Sequence, residues 1–430
     1  MSKWVTPILV LLLGAVAILL PDVEVPVPRP EPGIVSPPVA VCPTEEGAAR
    51  SSSLDVVSTV AGVGQVTIFS GGGSAGSGSF DTGASGSVSL PVGDIAAVGN
   101  AAALVEFPVS ESAAASVTSG STVLSAETCS RIPDSQVIVG GGSTVNDIPL
   151  RLQLMNPYST GAVADITAFS ESGRESNEAL RSIIVPARSS RVVDIGSILS
   201  GRESLNLIVE ATRGSFVTSA STEVGGDQAV WRAVAPETTW YVPFPVFNGS
   251  REVVIASSTP NDVAYQIDVF GPGGVEDAAI EGTISGGGQE IINVSEISQA
   301  AVAVRVVATA PVGVFARLTG DGALGIAAAS PLTTNDWLIP GAGSGDGTAG
   351  RLVVVNVGVE VTEMTVTEVR ESSRSRVIEV QPGQVLEVVL DAVDSDGVTV
   401  VSDGQIVPFW MARRGAAVAV SGGFPLLTNE

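Results

Sequence analysis

One motif written twice constrains this chain more than any other feature: Trp240-Tyr241-Val242-Pro243 returns as Trp337-Leu338-Ile339-Pro340, about 97 residues later. Each copy is followed by an apolar run, Val253-Val254-Ile255 in one and Leu352-Val353-Val354-Val355 in the other. Earlier in the chain, Leu150-Arg151-Leu152-Gln153-Leu154 leads to Asn156 as the last apolar run leads to Asn356. A second alternating segment keeps the same phase: Ile166-Thr167-Ala168-Phe169, Ile267-Asp268-Val269-Phe270 and Val366-Thr367-Glu368-Val369. A period of this length marks one supersecondary unit copied along the chain.

Within each copy the apolar residues alternate with polar ones, the period of a half-buried strand. The third copy continues with such segments at 280–284, 290–294, 302–307 and 312–318, and the fourth at 377–380, 385–390, 398–401 and 406–411. Val and Ile, branched at Cβ, favour a pleated sheet, and 49 glycines and 26 prolines supply the turns. About seven strands per copy predicts an all-β chain of tandem immunoglobulin-like β-sandwich repeats. A four-bladed propeller is the architectural alternative, although such blades would be about twice the usual length. The expected divisions are 1–20 (signal anchor or transmembrane segment), 21–43 (Pro-rich stalk) and four repeats at 44–132, 133–235, 236–332 and 333–430. The first repeat is diverged, with its Gly/Ser stretch at 71–79 expected as a long loop. The repeats are expected to form an elongated string, open to proteolysis near 133–136, 235–239 and 333–336.

The N-terminus predicts export. Met1-Ser2-Lys3 is followed by an uncharged run from Trp4 to Leu20, which as a helix spans about 25 Å, slightly short of a bilayer core. Ala15-Val16-Ala17 resembles a signal-peptidase site, but Ile18-Leu19-Leu20 carry the apolar run past it. Residues 4–20 are therefore expected to stay inserted in the cytoplasmic membrane, with secretion as the alternative if they are cleaved. The proline-rich segment that follows favours extended polyproline II. Cys42 and Cys129 are the only cysteines, bracket the first repeat and are expected to form a disulfide outside the cytoplasm.

The missing residues exclude most catalytic chemistry. The chain has no histidine, and Lys3 is its only lysine. That removes imidazole bases, the Ser-His-Asp triad, the usual zinc sites and lysine-based phosphate or Schiff-base chemistry. A carboxylate pair is what remains. The net charge of −24 disfavours nucleic acid as a partner. Gly72-Gly73-Ser74-Ala75-Gly76 has the form of a nucleophile elbow, but it lies in Gly/Ser low complexity and no histidine can serve it. The glycines between Gly345 and Gly350 precede a strand rather than a helix, so they read as a turn. Asp394-Ser395-Asp396-Gly397 lacks the remaining ligands of a calcium loop. Trp240 and Trp337, sharing one register, are expected in the core. No catalytic, cofactor-binding or metal-binding residues are therefore expected, and no cofactor.

The apolar N-terminal segment, the stalk, the two cysteines and the Trp-led strand starts together resemble an uncharacterised actinobacterial family of membrane-anchored envelope proteins. That resemblance implies an envelope location and no known activity. The expected function is a non-catalytic, envelope-anchored extracellular scaffold or interaction protein whose partner is an unknown envelope protein or glycan. The alternatives are a glycan-directed protein, either a binding module or a carboxylate-pair glycosidase, and an accessory subunit of a membrane glycan-synthesis or export system.

Overall fold

The alternation read from the sequence becomes strands almost throughout. The computed structural model describes residues 38–426 apart from 48, 84–85, 132, 321, 343–349, 370–372 and 391–396. The anchor expected at 1–20 and the stalk as far as residue 37 lie outside the described residues. Among the described residues, no helix is long and apolar enough to cross a membrane.

The first eight strands are β1 (Val39–Glu45), β2 (Arg50–Ser58), β3 (Val63–Ser70), β4 (Gly73–Asp81), β5 (Ser87–Pro91), β6 (Asn100–Glu106), β7 (Ser112–Gly120) and β8 (Leu124–Thr128). They form two antiparallel sheets, ordered β1-β6-β3-β4 and β5-β2-β7-β8. Ala40, Cys42, Val66 and Ile68 of the first sheet share a buried cluster with Leu54, Val56 and Ala114 of the second. The second group is β9 (Gln136–Gly142), β10 (Leu150–Asn156), β11 (Ala162–Ser170), β12 (Gly173–Arg174), β13 (Ile183–Val185), β14 (Ser189–Asp194), β15 (Leu205–Arg213), β16 (Val217–Val224) and β17 (Asp227–Arg232). Its sheets repeat the same order, β9-β15-β11-β12 and β14-β10-β16-β17, with β13 also on β11.

The third group comprises β18 (Glu237–Phe244), β19 (Ser250–Ser257), β20 (Val263–Gly271), β21 (Gly274–Ile284), β22 (Gln289–Asn293), β23 (Val302–Gly320) and β24 (Ala323–Ala328). The fourth comprises β25 (Thr334–Pro340), β26 (Arg351–Asn356), β27 (Thr362–Val369), β28 (Arg374–Val380), β29 (Val385–Val389), β30 (Gly397–Arg414), β31 (Ala417–Gly422) and β32 (Phe424–Leu426). In these two groups the sixth and seventh strands are continuous. The first half of β23 pairs with β18 and β20, and its second half with β19 and β24. β30 does the same with β25 and β27, then β26 and β31.

Each copy therefore has an eighth strand beyond the seven expected. Neighbouring of the second strand with the fifth, and of the third with the sixth, is shared with immunoglobulin sandwiches. Here, however, the first strand pairs with the sixth and the seventh with the second. The stretch 71–79 is largely not a loop: Gly73–Asp81 is an edge strand on β3. Its small residues have a steric reason, since a Cβ on Gly76 would lie 2.4 Å from the Ile95 carbonyl oxygen.

The expected string does not form. Eighth strands β8, β17, β24 and β31 pack side by side, β17 between β8 and β24, and β31 between β24 and β8, so the four copies close into a ring. One buried cluster joins Leu152, Trp231, Ile326 and Val420, from the second, third and fourth copies. Another joins Leu124 and Ala126 of the first to Leu352 and Ala419 of the fourth. The eighth strands are buried almost throughout, and a string would leave their apolar residues, such as Leu124, Trp231, Ile326 and Val420, in water. Their close approach depends on small residues: a Cβ on Gly325 would lie 3.0 Å from a Val420 methyl.

Candidate functional site

The ring axis has two dissimilar ends, both built from the eighth strands. At their N-terminal end, the buried Asp227 carboxylate accepts four backbone hydrogen bonds: from Leu124 (3.2 Å), Leu324 (3.0 Å), Val418 (2.9 Å) and its neighbour Gln228 (2.9 Å). These donors hold the same place in all four copies, and Val123, Ala323 and Ala417 occupy the position of Asp227 in the others. Asp227 is thus a single side chain from the second copy that latches all four. Burial pushes its pKa up, against the pull of the four N–H groups.

At the other end the chain leaves each eighth strand and returns to the edge of that copy's first sheet. Val41 bridges to Ser130, Ile138 to Val234 and Tyr241 to Ser330, and Leu338 pairs with Phe424. In the first copy this corner is also closed covalently: Cys42 and Cys129, the pair expected from the sequence, form a disulfide with Cα atoms 4.6 Å apart. The segments expected to be open to proteolysis are part of this end, and Gln136, Glu237 and Thr334 begin strands there.

The four returning segments surround a cavity of about 290 Å³. Its walls include Val137, Phe216, Leu332, Phe424 and Pro425, so they are largely apolar. Arg131, Asp134, Arg232 and Glu237 add charge. The Arg131 guanidinium stacks 4.2 Å from the Phe424 ring centre and 5.2 Å from that of Phe107. Its Nη1 donates to the Ser110 carbonyl at 2.9 Å, while Nε and Nη2 are buried without a partner. Burial lowers its pKa to about 10, opposed by Glu111, so it remains cationic near neutrality. The pKa of Asp134, exposed at the cavity rim, is raised, first by partial desolvation and then by the like charge of Glu237.

Arg232 reaches from this wall to within 3.8 Å of Glu127, whose side chain is 2% exposed. Burial raises the Glu127 pKa to about 7, opposed by the charge of Arg232 and by the backbone N–H groups of Arg232 and Thr128. One Glu127 oxygen, Oε2, has no partner. The pair is therefore a loose contact in a desolvated setting, not a closed ion pair.

The motifs weighed from the sequence lie elsewhere. Gly72–Gly76 spans the β3–β4 turn and the start of β4, with no helix behind it. Most of the glycine segment before Arg351, and Asp394 and Asp396, lie outside the described residues. Among the described residues no acidic or cysteine cluster could hold a metal ion. Trp240 and Trp337 are each 1% exposed. Their indoles donate in the same way, to Glu237 and Val312 carbonyls in one copy and to Thr334 and Ile406 carbonyls in the other. Arg131, Arg232, Glu127 and Asp227 were not singled out in the sequence. They stand in no motif, and the usable signal was the apolar run 417–420 after the last expected strand.

The profile of the Family of unknown function (DUF5719) matches residues 92–323. No curated protein matches the chain. Among solved structures, two B repeat units of the collagen-binding protein of Staphylococcus aureus align at 8% identity, over 89% of this chain and 99% of that one, with a TM-score of 0.12. A likeness that low carries no argument about fold or ligand.

Proposed function

We propose, from the premise that this chain belongs to the Family of unknown function (DUF5719), that it is a non-catalytic interaction protein of the cell envelope. In this reading the N-terminal segment anchors it in an actinobacterial cytoplasmic membrane. The four copies, taken as immunoglobulin-like sandwiches with an added strand, form an extracytoplasmic scaffold. Its binding site is the cavity at the open end of the ring, and its partner an envelope protein or glycan. The observation that carries the reading is the convergence of all four returning segments on one apolar, charge-lined cavity. Concave sites of this composition are the ordinary form of ligand pockets. The Cys42–Cys129 disulfide suits an oxidising compartment, and the lack of histidine and of lysine beyond Lys3 favours binding over catalysis.

The test is capture from cross-linked envelopes with the full-length chain and with Leu332→Glu, which places a charge at the cavity mouth. A defined envelope component held by the wild type and lost from the folded variant is expected. Equal capture by both would remove the cavity from the proposal.

A glycan-directed enzyme is the second reading, and Asp134 favours it. Its raised pKa and its coupling to Glu237 at the cavity are the kind of asymmetry a carboxylate pair needs. Turnover of envelope polysaccharide, abolished by Asp134→Asn or Glu237→Gln in a folded protein, would replace the non-catalytic reading with this one.

A further inference from the structure

We infer that the cavity takes a ligand made of an apolar body and one carboxylate, with the carboxylate seated on Arg232. The inference rests on the reading of this cavity as a binding site. It begins from an imbalance in how the arginines are paired. Acidic residues outnumber basic ones 45 to 21, and most partly buried arginines elsewhere meet carboxylates within 3.4 Å, whereas the fully buried Arg251 meets backbone carbonyls instead. Arg202 meets Glu175 at 2.5 Å, Arg317 meets Glu252 at 2.5 Å and Arg305 meets Asp268 at 2.6 Å. Arg351 and Arg376 are paired just as closely, with Glu387 and Glu368.

The two arginines at the cavity depart from this pattern. Arg232 stands 3.8 Å from Glu127, too far for a charge-assisted hydrogen bond. Arg131 keeps two N–H groups without acceptors. Glu127 is also a weak counter-ion, because burial leaves it partly protonated near neutrality. A ligand carboxylate would supply the planar, two-oxygen acceptor that a guanidinium fits.

The rest of the cavity restricts the ligand further. Phe216, Leu332 and Phe424 offer an apolar wall, and Leu332 is 41% exposed, high for a leucine beside a cavity. Asp134 and Glu237 add negative charge, which disfavours phosphate-rich or multiply anionic ligands. A volume of about 290 Å³ lies at the small end of ligand pockets. Aliphatic carboxylates and the apolar C-terminal residue of a peptide share this chemistry.

The experiment is calorimetric titration of the full-length chain with octanoate and N-acetyl-leucine, and with the amide of each. At least one acid is expected to bind, at least tenfold more tightly than its amide. Preference for octanoate would identify a lipid-derived source, and preference for N-acetyl-leucine a peptide C-terminus. Arg232→Gln should abolish the preference for acid over amide, and Arg232→Lys, which keeps the charge, should retain part of it. Glu127→Gln should bind the acid at least as tightly as wild type, and with less weakening between pH 6 and 8. Amides that bind as well as acids would overturn the carboxylate assignment while leaving the cavity a binding site. Silence from all four probes would also overturn it, and the Leu332→Glu capture experiment would then decide separately whether the cavity binds anything.

Discussion

The two ends of the ring are made from the same four strands and solve opposite problems. At the Asp227 end, backbone N–H groups from all four copies turn inward and meet one buried carboxylate. At the other end the same strands part, and their continuations return to four separate sheet edges around a space. The first end is closed by one shared acceptor, whereas at the second each returning segment closes its own copy and a local tie, Thr128 with Ser421 and Gly422, joins only the first copy to the fourth. The difference teaches that one buried carboxylate can gather four near-equivalent units at one end of a ring. The open end is then free to vary: a disulfide in the first copy, and in the third and fourth a buried tryptophan where the first and second have Ala40 and Val137.

If that contrast is right, Asp227→Ala should be the most damaging single change. It strands N–H groups in three other copies, each worth about 1–3 kcal/mol when buried without a partner, for a total of about 5 kcal/mol. Asp227→Asn, which keeps one oxygen, should lose less. Denaturant unfolding measures both, and a loss below about 1 kcal/mol for the alanine variant would show that the ring closes without this latch.

At the open end, replacing Cys42 and Cys129 together by alanine should cost about 2–5 kcal/mol, because the bond closes a long loop in the unfolded chain. The loss should be confined to the first copy. Hydrogen exchange can locate it, and equal deprotection of all four copies would contradict closure copy by copy.

Glu127 sharpens the comparison through pH. Its folded pKa of about 7 lies above the ordinary value of 4.5, so between those values the folded state holds more proton than the unfolded one. Its contribution is most favourable below about pH 4.5 and is lost as pH rises through about 7, amounting to at most about 3 kcal/mol. Glu127→Gln should flatten that part of the stability profile and be more stable than wild type at pH 8. An unchanged profile would mean that Glu127 is ionised throughout.

The smallest effect should come from Trp337→Phe, which removes the indole donor facing the Thr334 and Ile406 carbonyls and leaves a small gap. The expected loss is about 1–2 kcal/mol. Trp240→Phe should match it, since the two indoles make equivalent bonds. A large difference between the two would show that the copies are less equivalent than their geometry.

Legibility followed the chemistry of each strand. The second to seventh strands of the last two copies were readable because Val, Ile and Leu alternate there against polar residues. Asn156 and Asn356 were visible as the ends of equivalent strands, where each accepts a hydrogen bond from the backbone N–H two residues on. The eighth strands were missed: Leu124–Thr128 and Ala323–Ala328 are short and rich in Ala, Gly and Ser, which lowers their contrast with a loop. Gly73–Asp81 failed for the same reason, since glycine that makes room for Ile95 looks like glycine that makes a turn. The cavity was illegible because its lining comes from several separate segments, and its charges from two of them, in no motif.

The sequence by itself determined the period, the strand phase within most of each copy, the cysteine pair and the absence of imidazole chemistry. All of these rest on side-chain type and short-range spacing. Only the tertiary structure decided that the copies close into a ring. The bonds that latch it join Asp227 to residues 103, 97 and 191 positions away. Their donors are backbone N–H groups, which every residue except proline carries, so no side chain announces them.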